Sequence, residues 1–428
     1  MNISKVLKKN HIIKENILIT ELDCGIKCYI IPKKKYKLKQ CAIVVSYGSN
    51  DLSFYINDKK SDIYVSEKGT AHFIEHKLFS KPDYDIFSIF TKQGADVNAF
   101  TDFSKTVYYF NCINNFYENV ETLIYMIKNP YFTNENVESE KKIISQEINM
   151  YDDNPDWRVY YEMLNLMYKN HNIKYQIAGT NNTIQKIDDN MLYKCYNSFY
   201  IPKNMNIVCV GDFDVNNLYN FINRKFLNFN NDVNVKSLYD YDDNKINDNF
   251  CCISMDIKET VFNIGYKLDS YFFESDIKKK LAIKIVTDIF FGEGSVFYNE
   301  LYNIELLKES LGMEFLSGKG FAFFVLSGKS NYYYEISKKI TKTLEDAKKI
   351  GISYNDFERI KNKHKSRFIR GFNSIEAITM AQVDFANQNI DIFDVYDLFD
   401  EITLEYLKEI LDKGFFEENK VISVVKPK

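Results

Sequence analysis

Clusters of hydrophobic positions in the first fifty residues predict β-strands. The apolar runs Ile17–Ile19 and Cys28–Ile31 flank Asp23-Cys24-Gly25, which is typical of a tight turn, and together they predict a β-hairpin. Cys41–Tyr47 is a third β-branched run and ends at Gly48-Ser49. We therefore expect a β-sheet near the start of the chain.

Helical periodicity follows these strands, with apolar residues recurring every three to four positions. The predicted helices are Thr70–Phe79, Asp83–Gly94, Val120–Lys128 and Asn134–Tyr151. Strands are predicted at Val107–Asn111 and Met205–Val210. This mixture of segregated strands and helices is typical of an α+β protein.

A polar segment divides the chain. Residues 228–249 are rich in Asn, Asp and Lys, and we interpret them as a linker between domains 1–227 and 250–428. A similar order recurs beyond it, with strands at Cys251–Ile257, Val261–Tyr266 and Gly320–Ser327, a helix at Asp276–Phe290, and helices from there to the end. The predicted fold is α+β, with two related domains that each pack a mainly antiparallel β-sheet with α-helices.

Composition narrows the functional classes. A net charge of -4 without a basic stripe argues against nucleic-acid binding. No segment approaches the roughly 18 apolar residues of a membrane span, and Met1–Lys14 lacks the apolar core of a signal peptide. Eight cysteines are scattered without paired CxxC spacing, so we expect free thiols in core positions. We predict a cytoplasmic protein with no membrane or nucleic-acid partner.

The segment Gly69–Phe79 carries the most informative chemistry. Thr70 is predicted to cap a helix in which His72, Glu75 and His76 share one face, because residues three and four apart are neighbours. The apolar positions that we expect to be buried are Ala71, Ile74 and Leu78. Two imidazoles one turn apart can bind one zinc ion at about 2.0–2.1 Å. Glu75 then lies beside the remaining coordination position.

A catalytic zinc site needs a third protein ligand and one open position. The predicted helix Asn134–Tyr151 contains Glu140 and Glu147, which are two turns apart and project from the same side. From the residues alone, Glu147 is either a ligand or part of a solvated helix face. As a ligand it would complete the site, while Glu140 could orient a histidine or the ligand carboxylate.

Two simpler interpretations fit the residues less well. An HxxEH arrangement is expected by chance on the order of 0.01 times in such a chain, which favours a metal site over unrelated histidines. A purely structural zinc site would need a fourth protein ligand, often a cysteine, and none lies near either motif in the sequence. The residues therefore favour a catalytic Zn2+ site.

These segments resemble the inverted zincins and, more closely, the pitrilysin-like (M16) zinc peptidases. Gly69–His76 matches the family's G-x-A-H-F-x-E-H. Gly94-Ala95 and Asn98–Thr101 resemble its G-A…N-A-F-T stretch, and Asn204–Asp212 resembles the strand that closes its first domain. Glu140–Glu147 matches its E-x6-E, in which the last glutamate is the third zinc ligand.

The resemblance implies a zinc metalloendopeptidase. The implied zinc ligands are His72, His76 and Glu147. Glu75 would be the general base that takes a proton from the attacking water, and Glu140 would support a ligand. The resemblance also implies that Asn98, Ala99 and Phe100 contact the backbone of an unfolded peptide that binds as an added strand.

The likeness is good over residues 15–225 and loose beyond. Phe290–Ser295 and Leu301-Tyr302 resemble the family's G-S-S-R-L…L-R-E stretch, where many members carry an Arg and a Tyr that assist on substrate carbonyls. Here Tyr302 replaces the Arg, and Glu309 stands where the Tyr is expected. This departure bears on whether the chain is active alone and not on the zinc. An alternative function is a non-catalytic structural or peptide-binding subunit of a hetero-oligomer, although the loss of metal residues that would mark such a subunit is not seen here.

The resemblance also bears on assembly. Family members of this length resemble half of the larger single-chain enzymes, which close two halves around a chamber. We therefore expect a dimer, formed either by two copies of this chain or with a second M16-like subunit that lacks HxxEH. The sequence does not indicate the peptide substrate or the cleavage preference.

Overall fold

Strands and helices are distributed over the whole chain in the computed structural model, which describes residues 6–10, 13–82, 84–229, 233–274, 276–388 and 390–428. The strands are β1 Val6–Asn10, β2 Glu15–Glu21, β3 Lys27–Pro32, β4 Lys39–Val45, β5 Ser53–Ile56, β6 Tyr64–Val65, β7 Ala95–Thr101, β8 Thr106–Cys112, β9 Met205–Gly211, β10 Val235–Leu238, β11 Phe250–Met255, β12 Val261–Lys267, β13 Gly312–Gly318, β14 Phe321–Lys329 and β15 Lys420–Pro427.

The helices follow the same chain order. They are α1 Thr70–Leu78, α2 Ile86–Lys92, α3 Phe116–Lys128, α4 Asn134–Asp152, α5 Pro155–Met167, α6 Asn181–Ile184, α7 Asp189–Phe199, α8 Val215–Lys225, α9 Ser270–Phe273, α10 Ile277–Phe291, α11 Val296–Asn303, α12 Tyr333–Ile350, α13 Tyr354–Gly371, α14 Ile375–Ala386, α15 Ile392–Glu401 and α16 Leu404–Lys413. Short 3₁₀ helices cover Asn172–Lys174, Pro202–Asn204 and Glu417–Asn419.

One compact unit contains Met1–Ile148, Gln176–Leu238 and Ile369–Phe393. Its main sheet has the strand order β1-β2-β3-β9-β4-β8-β7, and all neighbours are antiparallel except β3 and β9. The central strands β4 and β9 are runs of almost wholly buried, mainly apolar residues, as expected for strands covered on both faces. A smaller antiparallel sheet has the order β10-β5-β6.

The other compact unit contains Asn149–Tyr175, Tyr239–Phe368 and Asp394–Lys428. Its sheet has the order β11-β15-β12-β14-β13, with one parallel pair, β11 and β15. The hydrophobic core of this unit lies where the sheet packs with α10, α12 and α16. Its largest buried members include Phe262, Tyr266, Phe273 and Phe324.

The two main sheets share one topology. In the first unit, β3-β9-β4-β8-β7 places the last strand in sequence between the first and second, parallel to the first. The second unit repeats this arrangement with β11-β15-β12-β14-β13. The predicted α+β fold with two related domains is therefore confirmed, although the chain has no letter-by-letter repeat.

Each unit also contains a helix from the other half of the sequence. In the first unit, α14 packs on β4 and β9, although it comes from the C-terminal half. In the second unit, α5 packs on the equivalent strands β12 and β15, although it comes from the N-terminal half. Gly265 of β12 makes room for α5, because a Cβ atom there would lie 2.2 Å from the Met167 side chain.

The proposed division at residues 228–249 therefore differs from the compact units. The first unit includes Ile369–Phe393, and the second begins at Asn149. Residues 230–232 of the predicted linker lie outside the described residues. Val235–Leu238 of that linker is strand β10, paired with β5, so this part of the segment is not a simple connection. Its many polar residues hid the strand because all four residues remain partly or fully exposed.

Several predicted elements need correction. The hairpin is confirmed, since β2 and β3 pair antiparallel around Gly25. The helix predicted at Asp83–Gly94 is only Ile86–Lys92, capped by the Asp85 side chain, and Asp83 lies outside the described residues. The expectation of helices to the C terminus is wrong because Lys420–Pro427 forms β15, an interior strand between β11 and β12. Its β-branched segment Val421–Val425, interrupted by Ser423, was the missed signal.

The thiols and the membrane prediction can be compared directly with the structure. All eight cysteines are free, as predicted, but Cys24, Cys251 and Cys252 are only partly buried. No helix within the described ranges combines the length and apolar character needed to cross a bilayer. The cytoplasmic location stays a prediction.

Candidate metal centre

The helix that carries the histidines begins at a glycine in the left-handed region of the backbone. Gly69 is its N-cap and has a φ of 95°, and a Cβ atom there would lie 2.5 Å from the Ala178 carbonyl oxygen. The prediction that Thr70 caps this helix is wrong. Its hydroxyl instead donates to the Glu67 carbonyl at 2.6 Å, within the turn that leads into the helix.

Helix α1 is buried on nearly every side. The apolar positions predicted to be buried have exposed fractions of 3% or less, and they are Ala71, Ile74 and Leu78. His72 and Glu75 are also buried, with exposed fractions of 7% and 8%, and His76 is partly exposed. The site therefore lies at the edge of a packed helix, where side-chain positions are restricted by their neighbours.

Helix α4 places Glu147 against both histidines. The His72 Nε2 atom lies 3.7 Å from Glu147 Oε1, and the His76 Nε2 atom lies 3.4 Å from Glu147 Oε2. Candidate ligand atoms from these three side chains all lie within 4.8 Å of one another. They form the one such group of three or more His, Cys, Asp or Glu residues in the part of the chain that the structure describes. The structure thus brings together the three residues predicted as ligands.

The neutral ring of His72 and the hydrogen bond made by His76 suit a metal. Burial, and secondly the charge of His76, lower the pKa of His72 to about 3, so its ring is neutral at physiological pH. The His76 Nδ1 atom lies 3.1 Å from Glu140 Oε1. Because a carboxylate can only accept, this contact places a hydrogen on Nδ1, so Nε2 is the atom that coordinates when the ring is neutral. Burial alone would lower the pKa of His76, but the hydrogen bond to Glu140 and the nearby carboxylates outweigh burial and raise it, so metal binding would displace a proton from Nε2. Two nitrogens and one carboxylate oxygen are a donor set that fits Zn2+.

Glu140 occupies the supporting position predicted for it. Burial alone would raise the pKa of its carboxyl group, but the contacts from His76 and Lys77 outweigh burial and lower that pKa. Lys77 was not predicted to contribute, yet its Nζ atom lies 3.3 Å from Glu140 Oε2. A lysine at a buried helix position was the available signal, because such a residue needs an anionic or polar partner.

Glu75 is held by the end of strand β7. The Thr101 hydroxyl donates to Glu75 Oε2 at 2.7 Å and lies 3.1 Å from the Thr106 hydroxyl. Burial raises the pKa of Glu75, and the hydrogen bond from Thr101 partly opposes this. Thr101 is the last residue of the N-A-F-T segment, but sequence reasoning assigned it no role. Its contact with Glu75 depends on the packing of β7 beside α1, which spacing along the chain does not show.

The three residues predicted to bind peptide lie on an edge strand. Asn98, Ala99 and Phe100 are in β7, which pairs with β8 on one side and is last in the order of its sheet. Asn98 is exposed, whereas Ala99 and Phe100 are partly buried. The Ala99 amide donates to Asn98 Oδ1 at 2.8 Å, so that amide already has a partner. As the last strand of its sheet, β7 could pair with an extended chain if the Asn98 side chain released the Ala99 amide.

Tyr302 and Glu309, which stand where the family resemblance implies an Arg and a Tyr, are not part of the candidate metal centre. Tyr302 is on α11 and has an exposed fraction of 52%, and Glu309 is exposed in the segment before β13. Both belong to the second compact unit, and neither is part of the donor group.

Comparison with known proteins identifies the family of the chain. The chain is 32% identical over 420 residues to the uncharacterized zinc protease YmfH of Bacillus subtilis, covering 97% of this chain and 98% of that one. The chain belongs to the M16 peptidase family. The family model described as Insulinase (Peptidase family M16) matches residues 64–181, and the model described as Peptidase M16 inactive domain matches residues 186–363. All three candidate ligands of this M16 chain fall within the first match.

Solved structures of other proteins share the fold. An M16-like peptidase from Alicyclobacillus acidocaldarius has a TM-score of 0.90 and 26% sequence identity, covering 100% of this chain and 99% of that one. A protease from Helicobacter pylori has a TM-score of 0.81 at 19% identity, covering 96% of this chain and 99% of that one. At that identity, the second likeness concerns the fold alone.

Proposed function

We propose that this M16 chain is a zinc metallopeptidase that hydrolyses peptide bonds in unfolded peptides. The observation that carries the proposal is the convergence of His72 Nε2, His76 Nε2 and the Glu147 carboxylate, with Glu75 on the same helix. These three side chains would hold Zn2+, with Glu140 orienting His76. When bound, zinc supplies a Lewis acid that polarises the scissile carbonyl and acidifies water.

The chain's own residues would then have separate roles in hydrolysis. Thr101 holds Glu75 Oε2, which leaves Oε1 to take the proton from the attacking water and to return it to the leaving amine. The open edge of β7, at Asn98, Ala99 and Phe100, would pair with the substrate backbone. Backbone pairing tolerates varied side chains, so we expect extended, unfolded segments to be cut in preference to folded domains.

Two substitutions distinguish the proposed general base, Glu75, from the proposed zinc ligand Glu147. Glu75→Gln should keep its zinc but lower kcat by about 10²–10⁴-fold, the usual scale for a lost general acid–base group. Glu147→Gln should lose zinc during dialysis against a mild chelator, because a neutral amide oxygen gives less charge to a dication. Metal content and hydrolysis of an unfolded peptide are measured on each purified variant.

A matched control is available on α4. Glu138 is on the same helix as Glu147, but its side chain is 57% exposed and pairs with Lys141. Glu138→Gln should therefore retain both zinc and activity. Hydrolysis by Glu75→Gln at the wild-type rate, with unchanged metal content, would falsify the role given to Glu75. A wild-type chain that binds no zinc would overturn the proposed function itself.

A further inference from the structure

A buried lysine adjoins the candidate metal ligand His76. The Lys77 side chain has an exposed fraction of only 3%, although lysine is seldom buried to this extent. Its Nζ atom lies 3.3 Å from Glu140 Oε2 and donates to the Ser80 hydroxyl at 3.0 Å. The other residues on this side of α1, such as Thr70 and Phe73, are fully buried.

This burial is costly unless the ammonium gains a partner. An apolar side chain of similar length, such as methionine, could fill the same space without desolvating a charge. What lysine provides and methionine does not is the contact with the Glu140 carboxylate. Since Ser80 could make its hydrogen bonds to water, the contact with Glu140 is the one that accounts for a charge at this position.

Glu140 connects this charge to the metal centre. Its Oε2 atom faces Lys77, and its Oε1 atom faces His76 Nδ1 at 3.1 Å. His76 needs such support more than His72 does, because the His76 side chain is 24% exposed and that of His72 only 9%. His72 Nδ1 has no hydrogen-bond partner among the described residues, so packing alone orients that ring.

We infer that Lys77 is a positioning residue of the metal centre, acting on His76 through Glu140. By fixing Oε2, the ammonium directs Oε1 at Nδ1, and this contact turns Nε2 towards Glu147. The inference rests on the proposed function, because it presumes that zinc binds at His72, His76 and Glu147.

Charge balance supports the same assignment. Three carboxylates meet around the histidines, those of Glu75, Glu140 and Glu147, and a bound dication would offset two of their charges. The Lys77 ammonium offsets the third. Because it lies against Glu140, its charge is mostly balanced there, and its effect on the metal comes through the direction of that carboxylate.

The experiment measures zinc affinity of the full chain by chelator competition at one pH. Lys77→Met should weaken zinc binding by about 10-fold, within the range for loss of an outer-shell partner. Glu140→Gln should weaken it by a similar factor. Because both changes break one connected set of contacts, the double variant should be little weaker than either single variant.

Lys81→Met is the matched control for removing a buried lysine near α1. Lys81 is also buried, but it donates to the carbonyl groups of Leu78, Met126 and Asn129 and has no contact with Glu140. This variant should lose stability and keep wild-type zinc affinity once folded. Equal weakening by Lys77→Met and Lys81→Met would assign Lys77 a merely structural role and overturn the inference.

Two further outcomes would also contradict the positioning role of Lys77. If repulsion between the ammonium and zinc dominated, Lys77→Met would bind zinc more tightly than wild type. Additive effects of Lys77→Met and Glu140→Gln would mean that Lys77 does not act through Glu140. In both cases the proposed peptidase would stand, whereas a wild-type chain without zinc affinity would refute the proposed function instead.

Discussion

Among the contacts described above, one threonine orients the Glu75 side chain. Thr101 Oγ1 donates to Glu75 Oε2 at 2.7 Å, and Thr101 and Thr106 are directly paired across β7 and β8. Thr106 in turn donates to the Tyr47 carbonyl at 2.9 Å. The base is thus attached to the end of a hairpin, and small displacements of a catalytic group cost rate.

Thr101→Val should lower kcat by roughly 10-fold and leave KM and zinc content near wild type, because it removes a hydrogen bond to a charged group without changing side-chain volume. Steady-state kinetics with metal analysis checks this. Thr101→Ser, which keeps the hydroxyl, should retain most of the activity. Thr106→Val keeps the hydrogen bond from Thr101 to Glu75 and should therefore lower kcat less than Thr101→Val does. A Thr101→Val enzyme with wild-type kcat contradicts the assignment.

At the residue scale, sequence spacing predicted which side chains lie together when they are one helical turn apart. His72, Glu75 and His76 are three and four apart, so any helix places them together. Glu147 needed more than spacing, because its position depends on how α4 packs beside α1. Lys77 and Thr101 could not be assigned from spacing, since their contacts with Glu140 and Glu75 exist only after the helices and strands have packed.

A second ionic cluster joins two helices of the other unit. Asp288 on α10 contacts Lys363 Nζ at 2.7 Å and His364 Nε2 at 3.0 Å, and both partners are on α13. The Asp288 side chain is 5% exposed. Burial alone would raise its pKa, but the contacts with His364 and Lys363 outweigh burial and lower the pKa to about 2. The cluster therefore stabilises the packing of α10 with α13.

Asp288→Asn should lower the free energy of unfolding by about 1–2 kcal/mol at pH 7. A lowered folded-state pKa gives stability that is present above the ordinary value near 4 and is lost as the pH falls towards 2. The difference between wild type and variant should therefore shrink over that range, which denaturant titrations at several pH values can measure. Asp400→Asn removes a 64%-exposed partner of Lys365 and should change stability by less than about 1 kcal/mol. Equal effects of the two substitutions would contradict the role of burial.

At the element scale, local patterns predicted where strands and helices occur better than which strands pair with each other. The hairpin of β2 and β3 and the long helix α4 were recognisable because turn chemistry and periodicity act within a few residues. The placement of β15 between β11 and β12 depends on pairing across more than 150 residues. No local pattern specifies such a pairing, so the sequence indicated two related units but not their strand order.

The assembly of the whole molecule stays a prediction. We propose that full peptidase activity requires a second M16-like subunit that lacks HxxEH, with a homodimer as the alternative. The proposal rests on Tyr302 and Glu309, which occupy positions where the resemblance implies an Arg and a Tyr that assist on substrate carbonyls. Loss of one such donor costs about 2–4 kcal/mol of transition-state stabilisation without affecting zinc binding.

The isolated chain should then be loaded with zinc but slow on peptides, and a partner subunit carrying the Arg and the Tyr should raise the rate. Native mass measurement and peptide hydrolysis, with and without a co-expressed M16-like partner, check both points. Rapid hydrolysis by the chain alone, at a rate that no such partner increases, would show that the partner is unnecessary.

Helix α14 decides whether the half of the chain that carries the candidate zinc ligands can fold alone. A boundary at residue 227 predicts that it can, but α14 covers β4 and β9 with side chains such as Ile378 and Val383, which are at most 1% exposed. Leaving each such side chain unburied costs about 1.5–3 kcal/mol. The fragment 1–243 should therefore aggregate or lack a cooperative unfolding transition. Co-expressed fragments 1–243 and 244–428 should purify together and bind zinc, because the second supplies α14. A soluble fragment 1–243 that unfolds cooperatively and binds zinc as tightly as the full chain would show that α14 is dispensable.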